Sequence, residues 1–151
     1  MNNIFIKIDN INGESRDAQH TGWIDVISYS WGVQRFSAGK STPQYRHLTV
    51  HAHIDKATPA MILYASNGNK IRKVELSVCK AGGSAIEYYR ITLESTFIAE
   101  VLMHDDGEME NVEYVFEADK VKIQYWEQSS AGGKAAETRS GWDIKNNISA
   151  F

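Results

Sequence analysis

Residues 87–103, EYYRITLESTFIAEVLM, alternate between apolar and polar side chains with a period of two, which is the pattern of a β-strand. At about 3.3 Å per residue this stretch would be about 56 Å long, whereas an ordinary strand has about 5–6 residues. We therefore expect this strand to coil, to bulge or to pass from one sheet to another. The apolar side chains in phase are Tyr89, Ile91, Leu93, Phe97, Ala99, Val101 and Met103.

The same period recurs along most of the chain and predicts five further strands, at residues 4–8, 23–36, 46–54, 74–78 and 112–125. The apolar face expected in the second of these strands consists of Ile27, Tyr29, Trp31 and Val33. A change of phase near Val26 predicts a β-bulge, and a second change at Asp119–Lys120 predicts another.

One helix is predicted between Thr58 and Gly68. Thr58 is a favoured N-cap residue, Pro59 suits the first helical position, and Asn67–Gly68 supplies a C-terminal stop. Because almost everything else outside the glycine- and serine-rich turns is strand, we predict a mainly β fold. The expected architecture is an antiparallel β-barrel of two packed sheets with one short α-helix at its side, forming a single domain over residues 1–151.

Composition narrows the class of function. The 151 residues carry 16 basic and 19 acidic side chains without a basic run, which argues against nucleic acid or an anionic membrane as the main partner. The N-terminus, MNNIFIKIDN, lacks the features of a Sec signal peptide, and no window approaches the ~20 apolar residues that span a membrane. The single cysteine, Cys79, excludes an internal disulfide and is compatible with a reducing cytoplasm.

The segment HLTVHAHID (47–55) places His47, His51 and His53 on one face of a predicted strand, so a shared metal ion has to be considered. A catalytic zinc needs three ligands with supporting hydrogen bonds, and we expect no carboxylate for that purpose from a neighbouring strand. The opposite parity is apolar. The histidines are therefore predicted to form an outward polar face, toward solvent or at a subunit boundary, and neither a metal nor a cofactor is expected.

Other motifs for catalysis or nucleotide binding are incomplete. AGKST (38–42) lacks the first glycine of a phosphate-binding loop, and Pro43 stands where the helix should begin. HDDGEME (104–110) does not meet the spacing of a calcium loop and is predicted to be a hairpin turn. Cys79 lies on the less apolar side of its strand and has little support as a nucleophile. We expect no enzymatic activity and no catalytic residue.

Three stretches decide between the remaining classes: FIKIDNINGESRDAQHTGWIDVISYSWG (5–32), IDKATP (54–59) and SGWDIKNN (140–147). Together with KAGG (80–83) and EYYRITL (87–93) they resemble the haemolysin-coregulated protein (Hcp) family of bacterial type VI secretion. The resemblance covers essentially the whole chain. It implies a β-barrel protomer that assembles into homohexameric rings, which stack into a tube and are expelled by a contracting sheath.

The resemblance also implies partners and a location. The partners are further copies of the chain, a valine-glycine-repeat spike protein, contractile sheath and baseplate proteins, and small effector proteins carried in the lumen. The protein would be cytoplasmic before firing and secreted without a signal peptide. No toxin domain is expected behind the barrel.

Site residues follow from the same resemblance. Ser30, in SWG, matches the lumen-facing position of the family, and Ser28, Gly32 and Gln34 share its parity. The loop expected to touch the next ring is formed by Ser37, Ala38, Gly39, Lys40, Ser41, Thr42, Pro43, Gln44 and Tyr45. Because histidine ordinarily titrates near pH 6.5, the three clustered histidines would make assembly sensitive to pH.

Two alternatives stay open. One is a stand-alone barrel that binds a small ligand and has no role in secretion, which would be a monomer with an apolar cavity. The other is a zinc hydrolase using His51 and His53, which would hold stoichiometric zinc.

Overall fold

The computed structural model of the chain describes residues 2–37, 39, 42–80 and 86–151. It contains ten strands and one helix within those residues. In chain order these are β1 Asn2–Ile8, β2 Ile24–Ser30, β3 Val33–Gln34, β4 Gln44–Tyr45, β5 Leu48–Ala52, α1 Thr58–Asn67, β6 Ile71–Lys80, β7 Ile86–Asp105, β8 Glu110–Gln128, β9 Lys134–Asp143 and β10 Ile148–Ser149.

Six strands close into an antiparallel barrel in the order β8-β5-β2-β1-β6-β7, with β7 pairing back onto β8. β9 and β10 extend the sheet beyond β8, and β3 and β4 form a separate two-stranded sheet. These pairings confirm the predicted mainly β barrel.

The β7–β8 hairpin closes the barrel because it runs along two sides of it. β7 has 20 residues and pairs with β6 only between Ile86 and Thr96. β8 pairs with β5 through Val112–Phe116 and with β9 from Lys120 onward. A single ribbon thus passes from one part of the barrel wall to another, as the length of the 87–103 stretch predicts.

In β7 and β8 the side of the strand that faces the barrel interior changes, and it changes at paired positions in the two strands. Leu93 and Val121 are buried before the change, and Ile98 and Phe116 are buried after it. The register is unbroken across this point, from Glu94↔Lys120 to Thr96↔Ala118, so the predicted bulge at Asp119–Lys120 is wrong. The change of phase is real, and it coincides with a positive φ of 51° at Ser95. The register shift in this ladder lies further along, between Ile98 and Glu100.

β2 carries the predicted irregularity near Val26. Its register against β5 shifts between Val26 and Ser28. Ile27 lies in this shift and is 51% exposed, and Val33, in the separate β3, is 53% exposed, so the apolar face predicted for 23–36 is wrong at these two residues. Tyr29 and Trp31 do pack against the core, as predicted.

The helix begins one residue earlier than predicted, at Thr58, and ends at Asn67 as expected. Ala57, not Thr58, is the N-cap residue, and Gly68 ends the helix in the left-handed region at φ 70°. The Thr58 hydroxyl accepts a hydrogen bond from the Asp55 amide and lies 2.8 Å from the buried Tyr114 hydroxyl. These bonds fix the start of the helix against the barrel. Within the described residues, no helix is long and apolar enough to span a membrane.

Apolar side chains fill the barrel interior. Several are completely shielded from solvent, among them Ile6, Val50, Leu76 and Tyr114. A cavity of about 90 Å³ lies beside Trp31, Tyr45, Leu48 and Phe116. Sites for drug-sized ligands have volumes of about 300–1,000 Å³, so this cavity by itself is too small to hold one.

Candidate functional site

The outward side of four neighbouring strands forms a continuous polar surface. β2, β5, β8 and β7 lie side by side, and their register aligns residues in rows across the sheet. Directly opposed residues point to the same side of a sheet, so each row shares one face. We call this surface the four-strand face; its two rows are Ser30–Thr49–Val115–Glu100 and Ser28–His51–Glu113–Leu102.

The burial pattern of β5 shows that this face points away from the barrel interior. Leu48, Val50 and Ala52 are buried, whereas the intervening Thr49 and His51 are partly exposed. Glu100 and Leu102 on β7 are exposed as well. An open cleft of about 550 Å³ lies over part of the face and is lined by Ser30, Tyr45, Arg46, His47, Thr49, Glu100, Glu113 and Val115.

Two of the four predicted lumen residues lie on this face. Ser28 and Ser30 are exposed in adjacent rows. Gly32 follows the end of β2, where its carbonyl accepts a hydrogen bond from the Arg46 amide at 2.9 Å. Gln34 belongs to β3, and its Oε1 accepts a hydrogen bond from Arg46 Nη2 at 2.9 Å. Gly32 and Gln34 are thus held at the margin of the face by Arg46.

The three histidines are neighbours of these serines. His51 is paired with Ser28 in the register, so the predicted lumen surface and the predicted subunit boundary fall on one face. His47 precedes β5, and His53 follows it; both are exposed. His51, within β5, is partly exposed.

The prediction that no neighbouring strand offers these histidines a carboxylate is wrong. Glu113 of β8 lies opposite His51, with 3.5 Å between Oε1 and Nε2. Glu110 Oε1 lies 3.2 Å from His53 Nδ1, and Glu110 Oε2 accepts a hydrogen bond from the Ile54 amide. Even so, the described part of the chain brings together no group of three or more His, Cys, Asp or Glu side chains that could hold a metal ion.

The predicted stacking loop joins β3 to β4. Ala38, Lys40 and Ser41 lie outside the described residues. Gln44 and Tyr45 form β4, which pairs with β3 through Gln34↔Gln44 and Val33↔Tyr45. The Tyr45 ring lies 6.0 Å from the Trp31 ring, centroid to centroid, so the loop returns directly to the barrel.

A buried polar cluster beside β6 was not predicted from the sequence. His20 Nδ1 lies 2.7 Å from Asp17 Oδ2, and His20 Nε2 lies 3.1 Å from Ser77 Oγ. This order of contacts matches that of a Ser-His-Asp triad. However, Ser77 is completely buried and donates its proton to Glu87 Oε2 at 2.6 Å, so its oxygen is not available as a nucleophile.

Cys79 belongs to the same cluster. It is fully buried, although its strand parity suggested a more polar surface, and His20 of the loop between β1 and β2 lies against it, with 3.9 Å between Nε2 and Sγ. Burial raises the pKa of the Cys79 thiol, and the neighbouring Glu87 and Asp17 charges add to that effect. A raised pKa keeps the thiol protonated and unreactive.

Residues 5–125 match the model of the family described as "Type VI secretion system effector, Hcp". Protein hcp1 of Pseudomonas aeruginosa is 31% identical over 160 aligned residues, covering 97% of this chain and 98% of that protein. The chain belongs to the Hcp family.

Solved Hcp structures share the whole fold. The crystal structure of Hcp1 from Salmonella typhimurium has a TM-score of 0.84 at 27% identity, covering 99% of both chains. A type VI secretion system effector from Yersinia pestis has a TM-score of 0.79 at 27% identity, covering 93% of this chain and 99% of that one. As an Hcp, this chain is a structural tube protein of type VI secretion, the system by which Hcp proteins are secreted.

The stretch 5–32 that carries much of the Hcp resemblance contains both Asp17 and His20, in GESRDAQH. The role of His20 could not be predicted from this stretch. Its partners Ser77 and Glu87 belong to β6 and β7, 57 residues or more further along the chain.

Proposed function

We propose that six copies of this Hcp chain form a closed ring, that the rings stack into the inner tube of a type VI secretion system, and that the lumen carries small effector proteins. The observation that carries this proposal is the match to Hcp proteins over 97% of the chain, in sequence and in fold. A ring of identical subunits needs one heterologous contact that closes on itself.

The four-strand face is the surface that we assign to the lumen. It carries hydroxyl, imidazole and carboxylate groups, and its apolar members are the partly buried Val115 and the exposed Leu102. Within the protomer no described element covers Ser28 or Ser30, both of which are exposed. A polar sheet face suits the wall of a water-filled channel, because its side chains need no burial to be stable.

The remaining parts of the proposal concern assembly. The loop from Ser37 to Tyr45 contacts the next ring, and the tube ends in a valine-glycine-repeat spike protein. Sheath and baseplate proteins surround it before firing, when the chain is cytoplasmic, and no signal peptide directs its export. The chain is one domain, without a catalytic activity or a cofactor.

Electron microscopy tests the assembly directly. Negatively stained protein should show rings with six-fold symmetry, and short stacks at high concentration. Rings with another symmetry, or isolated globular particles only, would contradict the proposed assembly.

The carrier role needs a test in cells. In a bacterium whose own tube gene is replaced by this one, the small proteins exported by its type VI system should remain abundant before firing. Ser30→Trp should lower their abundance, because the indole fills the lumen surface, whereas Glu127→Gln, at an exposed position outside the two rows of the face, should not. If these small proteins are equally abundant with Ser30→Trp and with the wild type, the carrier role is contradicted, while the proposed ring is not.

A further inference from the structure

The buried His20 lies in an aromatic pocket formed by its own loop and β1. Only 3% of the residue is exposed. Its ring stacks on Phe5 with 4.3 Å between centroids and an interplanar angle of 8°, and it meets the Trp23 ring edge-on at 4.7 Å. Water therefore has little access to either ring nitrogen, and the groups that face the nitrogens determine which protons they carry.

The first nitrogen faces a carboxylate. Nδ1 lies 2.7 Å from Asp17 Oδ2, which also accepts a hydrogen bond from the Gln19 amide. The hydrogen bond from His20 is the main reason why the pKa of Asp17 is lowered. An ionised carboxylate can only accept, so Nδ1 must carry a proton.

The second nitrogen faces a hydroxyl whose own proton is already used. Ser77 Oγ lies 3.1 Å from Nε2 and 2.6 Å from Glu87 Oε2. A hydroxyl has a single proton, and the shorter contact, to a carboxylate, is the stronger one. If Ser77 donates to Glu87, it presents only a lone pair to Nε2, and Nε2 must donate as well.

Glu87 is held in its ionised form by two cations. Arg90 Nε donates to Oε2 at 2.7 Å, and Lys134 Nζ donates to Oε1 at 2.8 Å. Burial by itself would raise the pKa of Glu87, but the hydrogen bonds from Lys134, Ser77 and Arg90 outweigh it and leave that pKa lowered. An ionised Glu87 cannot supply a proton to Ser77, so the direction of the chain of hydrogen bonds is fixed.

From this geometry we propose that His20 is held in the folded protein as a doubly protonated imidazolium, which fastens the β1–β2 loop to β6. One proton bonds to Asp17 in the loop, and the other bonds to Ser77 in the barrel wall. The stacked Phe5 ring favours the charged imidazole, because a cation is attracted to the face of an aromatic ring. Loss of either proton leaves two lone pairs facing each other and releases the loop.

The other polar groups around the ring are compatible with this charge. Cys79 Sγ lies 3.9 Å from Nε2 and 3.7 Å from Ser77 Oγ, both long contacts for a weak donor. Glu75 bonds to Arg90 Nη1 at 2.6 Å and lies 3.5 Å from Lys73 Nζ. Of the carboxylates, Asp17 contacts the ring directly and Glu87 reaches it through Ser77, while the Arg90 guanidinium lies 5.7 Å from the Trp23 ring.

Nitrogen NMR of the whole protein, labelled with ¹⁵N-histidine, tests the proposal at pH 7.5. The signals of His20 are those missing in His20→Gln, and exposed His104 serves as the matched control with His104→Gln. We expect both ring nitrogens of His20 to show the shifts of protonated imidazolium. An unprotonated Nε2 in His20 of the wild type would overturn the proposal.

Two variants separate the proposed charge from a merely structural role. In Glu87→Gln the attraction for the Ser77 proton is weakened, so Ser77 can donate to Nε2 and His20 should become neutral. In Ser77→Ala the acceptor of Nε2 is gone, and His20 should again become neutral. Cys79→Ala should leave the ring doubly protonated. A doubly protonated ring in Ser77→Ala, or a neutral one in Cys79→Ala, would contradict the assigned hydrogen bonds.

Discussion

Ser28 on β2 and His51 on β5 form one register pair, so their side chains stand next to each other on the outside of the barrel. In the same row His51 Nε2 lies 3.5 Å from Glu113 Oε1 of β8. The lumen surface and the histidine surface are therefore the same surface. If Ser30 faces the lumen of the ring, His51 and Glu113 do so too, and the histidines belong to the channel wall rather than to a contact between subunits.

A bulky residue at Ser30 should leave the ring intact. Ser30→Trp adds an indole on an exposed face, so the free energy of unfolding should change by less than about 0.5 kcal/mol. Light scattering of the variant should give the same mass as the wild type, while Ser77→Trp, at a fully buried serine, should fail to fold. A monomeric Ser30→Trp would place Ser30 at the subunit boundary instead.

Shortening the loop between β3 and β4 should separate ring formation from stacking. Deletion of residues 38–41 removes part of the proposed contact with the next ring but none of the barrel strands. We expect rings of unchanged mass that no longer form tubes under the electron microscope. The matched control deletes residues 130–132 from the β8–β9 turn; loss of tubes in that control, or tubes in the first variant, would contradict the assigned role.

Gly13 is required by close packing against β2. A Cβ at this position would lie 2.6 Å from both Ile24 Cγ1 and the Trp23 carbonyl oxygen, and the latter belongs to the backbone. Gly13→Ala should therefore destabilise the protomer by about 1–3 kcal/mol in chemical denaturation. Gly32→Ala is the control, since no atom lies within 4 Å of its added methyl group. Equal free energies of unfolding for the two variants would contradict the requirement for glycine at position 13.

Acid should weaken the protomer through Glu87. Because the folded pKa of Glu87 is lowered, its stabilisation is complete above the ordinary value of 4.5 and is lost as the pH falls below it. Glu87→Gln should cost about 2 kcal/mol at pH 7 and should flatten the loss of stability below pH 4.5. Thermal unfolding between pH 7 and 3 measures both effects, with the exposed Glu127→Gln as control. A variant with the acid profile of the wild type would disprove the role of Glu87.

The strands could be predicted from the sequence because the period of two persists through them. β5 is a clear case: Leu48, Val50 and Ala52 are buried, as their parity predicts. The structure at Asp119 could not be predicted from the change of phase. A β-bulge with one inserted residue and a hairpin that turns its other side to the interior give the same pattern in the sequence. Only the unbroken pairing with β7 distinguishes the two.

For the four-strand face, the outward side chains of each strand could be predicted, but the order of the strands could not. Parity assigns Ser30 and His51 to the outward sides of their own strands, but it does not say which strands are neighbours. The carboxylate of Glu113 meets His51 only because β8 pairs with β5 across more than 60 positions of sequence. The His20 cluster was missed for the same reason, because its partners come from distant strands.

The mass of the purified protein in solution tests the central claim most directly. Light scattering after size exclusion at neutral pH should give a single species of six times the 17.0 kDa protomer, about 102 kDa. Dilution across a hundredfold range of concentration should leave that mass unchanged if the ring closes. A uniform species of 17.0 kDa at every concentration would contradict the tube subunit and leave the polar four-strand face without its proposed role.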